Sequence, residues 1–132
     1  MRCDYAFLCD FASDKGNSIN ALGIGYDLLL APQLPATHPH FFLVSQLRAS
    51  VVEVGKKSLG VRLIDEDGQV LLAQDGQLQF ERPLYGTESV ARLVLGFYMV
   101  QIPKYGAYSF HVTVEGLEMA RIPFTVVKPP AQ

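Results

Sequence analysis

Tryptophan is absent, cysteine occurs twice, and charged residues fill only 18% of the 132 positions. Each shortage excludes something. Two cysteines do not make the dense disulfide framework of a small secreted scaffold. Cys3 and Cys9 fall on what reads as one extended strand, which at about 3.3 Å per residue separates them by roughly 20 Å, beyond disulfide reach. Charge of either sign is also scarce: 11 basic against 13 acidic residues give a formal net charge of −2. With no like-charge run longer than Asp65-Glu66-Asp67, there is no electrostatic footprint for nucleic acid or an anionic membrane, and neither is expected as a partner. A long apolar run is missing too. The best candidate, Leu22 to Pro35, is broken by Gly23, Gly25, Asp27 and two prolines, and falls short of the roughly 20 apolar residues of a spanning helix. Met1 to Asp10 has neither the continuous apolar core nor the small-residue cleavage site of a secretory leader, so a cytoplasmic protein is expected.

What is present is apolar and patterned. Hydrophobic residues make up 49% of the chain, which excludes disorder for its bulk, and at this size folding removes roughly two-thirds of the unfolded surface from water. One domain over residues 1–127 with a flexible tail at 128–132 is expected. Helical spacing sustained over several turns is hard to find; the dominant signal is alternation with period two, interrupted by turn chemistry.

Cys3, Tyr5, Phe7, Cys9 and Phe11 alternate with Asp4, Ala6, Leu8 and Asp10 as one strand, closed by the turn cluster Ser13 to Asn17. Asn20, Leu22, Ile24, Tyr26, Leu28 and Leu30 then share one face of a long, kinked strand. Pro32, Pro35 and Pro39 mark a crossover between layers. The chain is extended again from His40 to Val54, and Gly55 to Ser58 reads as its polar turn. Leu59, Val61 and Leu63 lead into an Asp-Gly hairpin at Asp67-Gly68, and Asp75-Gly76 reads as a second turn. Ser89 to Val100 is another long strand, with ambiguous helical propensity near Glu88 to Leu93. Tyr108, Phe110, Val112 and Val114 form one leg of a hairpin turning at Glu115-Gly116; Pro123 in the return leg predicts an edge or a bulge. Strands of this spacing, about eight or nine of them, predict an all-β, antiparallel two-sheet sandwich of immunoglobulin-like type, with a closed β-barrel as the alternative.

Four strings carry a resemblance: Tyr5-Ala6-Phe7-Leu8-Cys9-Asp10, Asn20-Ala21-Leu22-Gly23, Leu34-Pro35-Ala36-Thr37-His38-Pro39-His40-Phe41, and Pro103-Lys104-Tyr105-Gly106-Ala107-Tyr108-Ser109-Phe110. Over most of its length the chain resembles a family of small bacterial proteins known only as a domain of unknown function. The resemblance implies a bacterial cytoplasmic setting and a β-sandwich; it brings no reaction, ligand or catalytic residue. Tyr105 to Val112 followed by Glu115-Gly116 is also similar to the closing hairpin of immunoglobulin-like modules, a likeness of fold that assigns no function.

Candidate chemistry is sparse. His38-Pro39-His40 sets two imidazoles two residues apart, so an extended segment points both to one side, as a strand-borne metal site requires. Asp65 and Asp67 supply carboxylates with the beginnings of a calcium-loop spacing, although the downstream bidentate Glu is missing and the hairpin already explains the Asp-Gly pair. Gly23-Ile24-Gly25 lacks the third glycine and the following helix of a dinucleotide fingerprint. Cys3 and Cys9 each adjoin an aspartate, which disfavours a thiolate, and read as structural. The serines sit in no Gly-x-Ser-x-Gly elbow, and the three histidines show no triad partner in the linear sequence. Arg48, Arg62, Arg92, Tyr98 and Arg121 fall on predicted strands and form a candidate recognition surface. The expectation is a non-enzymatic binding or scaffold module that works through protein contacts of a sheet face or edge strand, with a protein partner or a second copy of itself and no cofactor. The alternative is a small-ligand or metal site at a loop end, built from His38, His40, Asp65 and Asp67.

Overall fold

Alternating residues become strands wherever one face has something to bury. In the structure of the protein, a computed structural model, residues 1–16 and 18–130 are described. Asn17 of the first expected turn and Ala131 and Gln132 of the expected tail lie outside the described residues. The strands are β1 (Arg2–Cys9), β2 (Phe11–Asp14), β3 (Ile19–Leu22), β4 (Leu28–Leu30), β5 (Ala36–Ser50), β6 (Gly55–Asp65), β7 (Val70–Phe80), β8 (Glu88–Ile102), β9 (Gly106–Val114) and β10 (Leu117–Val127), with one 3-10 turn at Val51–Glu53. They form a three-stranded sheet in the order β1-β5-β8, a five-stranded sheet in the order β4-β10-β9-β6-β7, and the separate hairpin β2-β3.

The fold is all-β among the described residues, and none of these sheets closes into a barrel. Nor is it wholly antiparallel, as the alternation led us to expect. Leu28–Leu30 of β4 runs parallel to Thr125–Val127 of β10, which makes the five-stranded sheet mixed. Only strands joined by a tight turn are forced to run antiparallel, and β4 reaches β10 from far away in the sequence.

One apolar cluster joins the two larger sheets. It takes the odd-numbered face of β5 (Phe41, Leu43, Leu47) and packs it with Leu59 and Val61 of β6 and the even-numbered face of β9. Phe110 of β9 is fully buried. Its ring meets Phe41 edge-on at 5.4 Å, Phe97 at 5.2 Å and Phe124 at 6.2 Å, so aromatic contacts from β5, β8 and β10 converge on one side chain. A second, smaller cluster lies on the other face of β5. There Cys9, Phe42 and Val44 are covered by Ala12, Ile19 and Ala21 of the β2-β3 hairpin. The middle of β5 is thus buried on both faces, which is why Phe41 to Ser45 is an unbroken buried run.

Several local expectations change for identifiable reasons. The first strand ends at Cys9, before Asp10, whose N–H donates to the Leu22 carbonyl at 2.9 Å and whose carboxylate accepts the Tyr26 hydroxyl; Phe11 therefore starts a different strand. Gly23 and Gly25 take φ of 70° and 107°, a backbone open chiefly to glycine, and divide the expected long strand into β3 and β4. Gly55 to Ser58 opens β6 instead of turning. Asp75-Gly76 also does not turn: Asp75 pairs with Gly60 across β6 and β7, and Arg62 Nη2 donates to its carboxylate at 2.7 Å. Glu88 to Leu93 is strand. Glu115-Gly116, with φ of 52° and 80°, has the two positive values of a type I′ hairpin. Pro123 sits in an inner strand, but β4 reaches only Thr125 of β10, so its missing N–H falls where β10 has a single neighbour.

Truncating Phe110 removes the shared contact of four strands. Phe110→Ala is expected to lower the unfolding free energy by about 3–5 kcal/mol in urea titration, whereas Tyr85→Ala, at a residue 91% exposed, changes it by less than about 0.5 kcal/mol. Similar losses for the two variants contradict this assignment of the core.

Candidate functional site

The two larger sheets end differently at their two margins. At one margin, residues 23–27 tie β1 to β10: the Gly25 N–H donates to the Leu8 carbonyl at 3.1 Å and the Thr125 N–H to the Asp27 carbonyl at 3.0 Å. At the other margin, β7 and β8 each have a single strand neighbour. There Ser89 Oγ, near the start of β8, donates to the Glu81 carbonyl at 2.5 Å.

Cross-strand pairing sets the faces of β7. Leu72 lies opposite Leu63, Gln74 opposite Val61, and Gly76 opposite Leu59. Paired residues share a face, so Gln74 and Gly76 stand on the inner face between Leu72 and Leu78, where a strand of this sheet elsewhere carries large apolar side chains. A Cβ at Gly76 would meet nothing within 4 Å. The consequence is a cleft of about 220 Å³, floored by Leu59, Val61, Leu93 and Leu95 and rimmed by residues 74–77 of β7.

The rim strand is 11 residues long and contains neither lysine nor proline, two residue types by which sheet edges discourage an added strand. Its one charge, Asp75, is already paired with Arg62. An edge strand turns alternate N–H and C=O groups outward without partners. Here those groups run beside an apolar slot, and the combination is suited to holding an extended chain.

The residues singled out from the sequence do not assemble in one place. Arg48, Arg92 and Tyr98 belong to the three-stranded sheet, and Arg62 and Arg121 to the five-stranded one. Arg48 Nε donates to Asp4 Oδ2 at 2.9 Å. Tyr98 is exposed and lies edge-on to Phe42 at 5.9 Å. Arg62 and Arg121 occupy the register positions on either side of His111.

The four loop-end residues also separate. His38 packs against Tyr26 at 5.6 Å and Phe41 at 5.0 Å, and burial pushes its imidazole pKa down. His40 instead hydrogen-bonds the Asp10 carbonyl through Nδ1 at 2.8 Å. Asp65 Oδ1 accepts the N–H groups of Asp67 and Gln69, both at 2.9 Å, while Lys104 Nζ pairs with Asp65 at 3.4 Å and also with Asp67. These carboxylates cap a turn and hold an ammonium. Among the described residues no three His, Cys, Asp or Glu side chains group as metal ligands would. Burial pushes the Cys9 thiol pKa up, in keeping with a structural cysteine.

The cleft beside Leu59 and Val61 is not evident from the sequence, in which Asp75-Gly76 reads as a turn. The legible signal was the inner-face pair Gln74 and Gly76, polar and empty between Leu72 and Leu78.

A model of a family of unknown function, DUF6941, matches residues 4–127. The chain belongs to that family. No curated protein matches it. Among solved structures it is similar to the Pseudomonas fluorescens alkylpurine DNA glycosylase AlkC bound to DNA containing an abasic site analog, at a TM-score of 0.47 and 13% identity, over 75% of this chain and 27% of that one. The chain therefore spans only about a quarter of that protein, and a likeness of this size carries no argument about ligand. The expectation about partners is corrected all the same: balanced charge and short like-charge runs do not by themselves exclude nucleic acid, and the protein in this similar structure is bound to DNA. No helix of the described residues is long and apolar enough to cross a membrane.

Asp65 yields a pH prediction. Burial raises its carboxyl pKa, but the Gln69 and Asp67 N–H groups and Lys104 outweigh that and hold it below the ordinary 3.8. A depressed folded-state pKa contributes stability that is full above the unfolded value and disappears as pH falls through the folded one. Asp65→Asn is expected to melt lower than the native protein at neutral pH and to lose less on acidification from about pH 6 to about pH 2. Parallel melting curves across that range contradict the turn-cap role.

Proposed function

We propose that this protein is a binding module that accepts an extended peptide segment of a partner protein along β7. In this reading the two larger sheets pack as an immunoglobulin-like sandwich whose β7/β8 margin is left open. The observation that carries it is the juxtaposition of an 11-residue edge strand with the cleft floored by Leu59, Val61, Leu93 and Leu95. Strand addition takes its affinity from main-chain hydrogen bonds and its selectivity from pockets for alternate side chains. Here the backbone of β7 supplies the first and the cleft the second. Each large apolar side chain that enters the cleft contributes about 1.5–3 kcal/mol. The partner segment is accordingly extended, with an apolar residue at alternate positions and no required charge. The two free cysteines suit a reducing compartment, and we place the module in the bacterial cytoplasm, as the family resemblance implies.

Panning a phage library of random extended peptides against the protein tests the reading. Peptides with alternating apolar residues are expected to be enriched, to shift the amide resonances of β7, and to lose binding to Gly76→Leu, whose side chain fills the cleft while the melting temperature holds. A labelled DNA duplex is the second probe in the same assay. Enriched peptides that shift amides away from β7, or saturable DNA binding with no peptide selected, overturn the reading.

A further inference from the structure

The outer face of the five-stranded sheet carries a feature that binding at the β7 margin does not use. On β9, residues 109 and 111 point to the same, outward side, because Tyr108, Phe110 and Val112 point inward. Ser109 Oγ and His111 Nε2 are 2.7 Å apart. The other ring nitrogen, His111 Nδ1, contacts the carboxylate of Glu118 on β10. A register shift between Glu118 and Ala120 in the β9-β10 pairing lies where this carboxylate meets the imidazole.

The proton positions follow from the groups themselves. An ionised carboxylate only accepts, so the neutral imidazole carries its proton on Nδ1 and donates to Glu118. Nε2 is then the acceptor, and the Ser109 hydroxyl is the donor. That is the hydrogen-bond order in which an imidazole takes the proton of an attacking hydroxyl while a carboxylate holds the ring in the required tautomer. Ser109 and His111 also line a cleft of about 340 Å³ together with Arg121, Pro123 and Thr125 of β10 and Ile64 of β6. This volume lies at the small end of ligand sites. Arg121 and Arg62 flank His111 in register. Arg62 is paired with Asp75, whereas the exposed Arg121 lines the cleft together with Asp65 and Glu66 and is the guanidinium available to negative charge developing there.

We propose that Ser109 is a nucleophile activated by His111, with Glu118 as the positioning residue, and that the cleft hydrolyses small carboxylic esters. The Ser109 Oγ–carbonyl carbon bond forms as the hydroxyl proton passes to His111 Nε2, with Arg121 beside the developing oxyanion. The bond from carbon to the alcohol oxygen breaks, and Nε2 returns its proton to the leaving alcohol. Water then attacks the acyl-serine, gives a proton to Nε2, and the Oγ–carbon bond breaks as the serine regains that proton, releasing the carboxylic acid. This activity goes beyond the binding reading and lies on a different face of the protein. The two are separable, since Gly76→Leu leaves this face untouched.

The test treats the intact chain with diisopropyl fluorophosphate and, separately, measures hydrolysis of p-nitrophenyl acetate. The expected result is one phosphoryl adduct per chain, mapped by peptide mass spectrometry to Ser109. Ser109→Ala and His111→Gln are expected to bring hydrolysis to the buffer rate. Glu118→Gln is expected to lower kcat at least tenfold with little change in KM, a split that a purely structural role does not produce. All three variants are to be compared by melting temperature, and adduct mapping on the unaltered chain keeps the test decisive where a variant unfolds. No adduct, an adduct at another residue, or full hydrolysis by a folded Ser109→Ala overturns the proposal.

Discussion

Phe110 and Phe41 meet edge to face across the gap between the two larger sheets, and the rest of the architecture is arranged around that contact. Phe110 belongs to β9 and Phe41 to β5, the inner strands of their sheets, so each ring is braced by strands on both sides. Around them Phe97 and Phe124 complete an aromatic centre. Offset and edge-on arrangements let the positive rim of one ring face the negative face of another, which adds about 0.5–1.5 kcal/mol per pair to the burial itself. No disulfide assists: Cys3 and Cys9 are free.

The aromatic centre is drawn from β5, β8, β9 and β10, and the margins of the two sheets differ in what they expose. Beside β1 the segment 23–27 closes the margin with backbone hydrogen bonds, and the β2-β3 hairpin roofs the outer face of β5. Beside β7 neither device is present among the described residues. The inner face of β7 gives up two positions, Gln74 and Gly76, that a strand devoted to the core would fill with apolar side chains, and the gap opens onto Leu59 and Leu93. Natural sheets normally blunt unpaired edges, and β7, with neither lysine nor proline, leaves its edge open beside the cleft. That unblunted edge is the physical argument for the proposed partner strand. The outer face of β9 and β10 is a different environment: polar and hydrogen-bonded, with the imidazole of His111 held from both ring nitrogens.

Alternation makes the inward faces of β5, β6 and β9 readable from the sequence, since Phe41, Leu43, Leu59, Val61, Phe110 and Val112 are all buried where the period of two puts them. The Glu115-Gly116 hairpin was equally legible, because its two positive φ values have a residue signature. Connections that depend on distant partners were not. Asp75-Gly76 has the composition of a turn, yet Arg62 and the pairing with β6 hold it straight. The break at Asp10 depends on Leu22 and Tyr26, which local propensity does not see. The parallel placement of β4 against β10 is likewise a tertiary fact. The candidate sites fared worse for the same reason. Arg48 and Arg121 read as one set on paper but belong to different sheets, and His38 and His40 meet different neighbours on either side of Pro39. Ser109 and His111 are two residues apart and visible in sequence, but Glu118 joins them only because the hairpin folds β10 back along β9.

If β7 is an open edge on a structure locked together elsewhere, native-state amide hydrogen exchange on the free protein reveals it most directly. Amides of β9, and those of β7 that face β6, are expected to exchange only through global unfolding. The alternate β7 amides that face away from β6 are expected to exchange at rates near those of unstructured chain. Uniform protection along β7 equal to that of β9 would mean that the margin is already covered and that no edge is open to a partner strand.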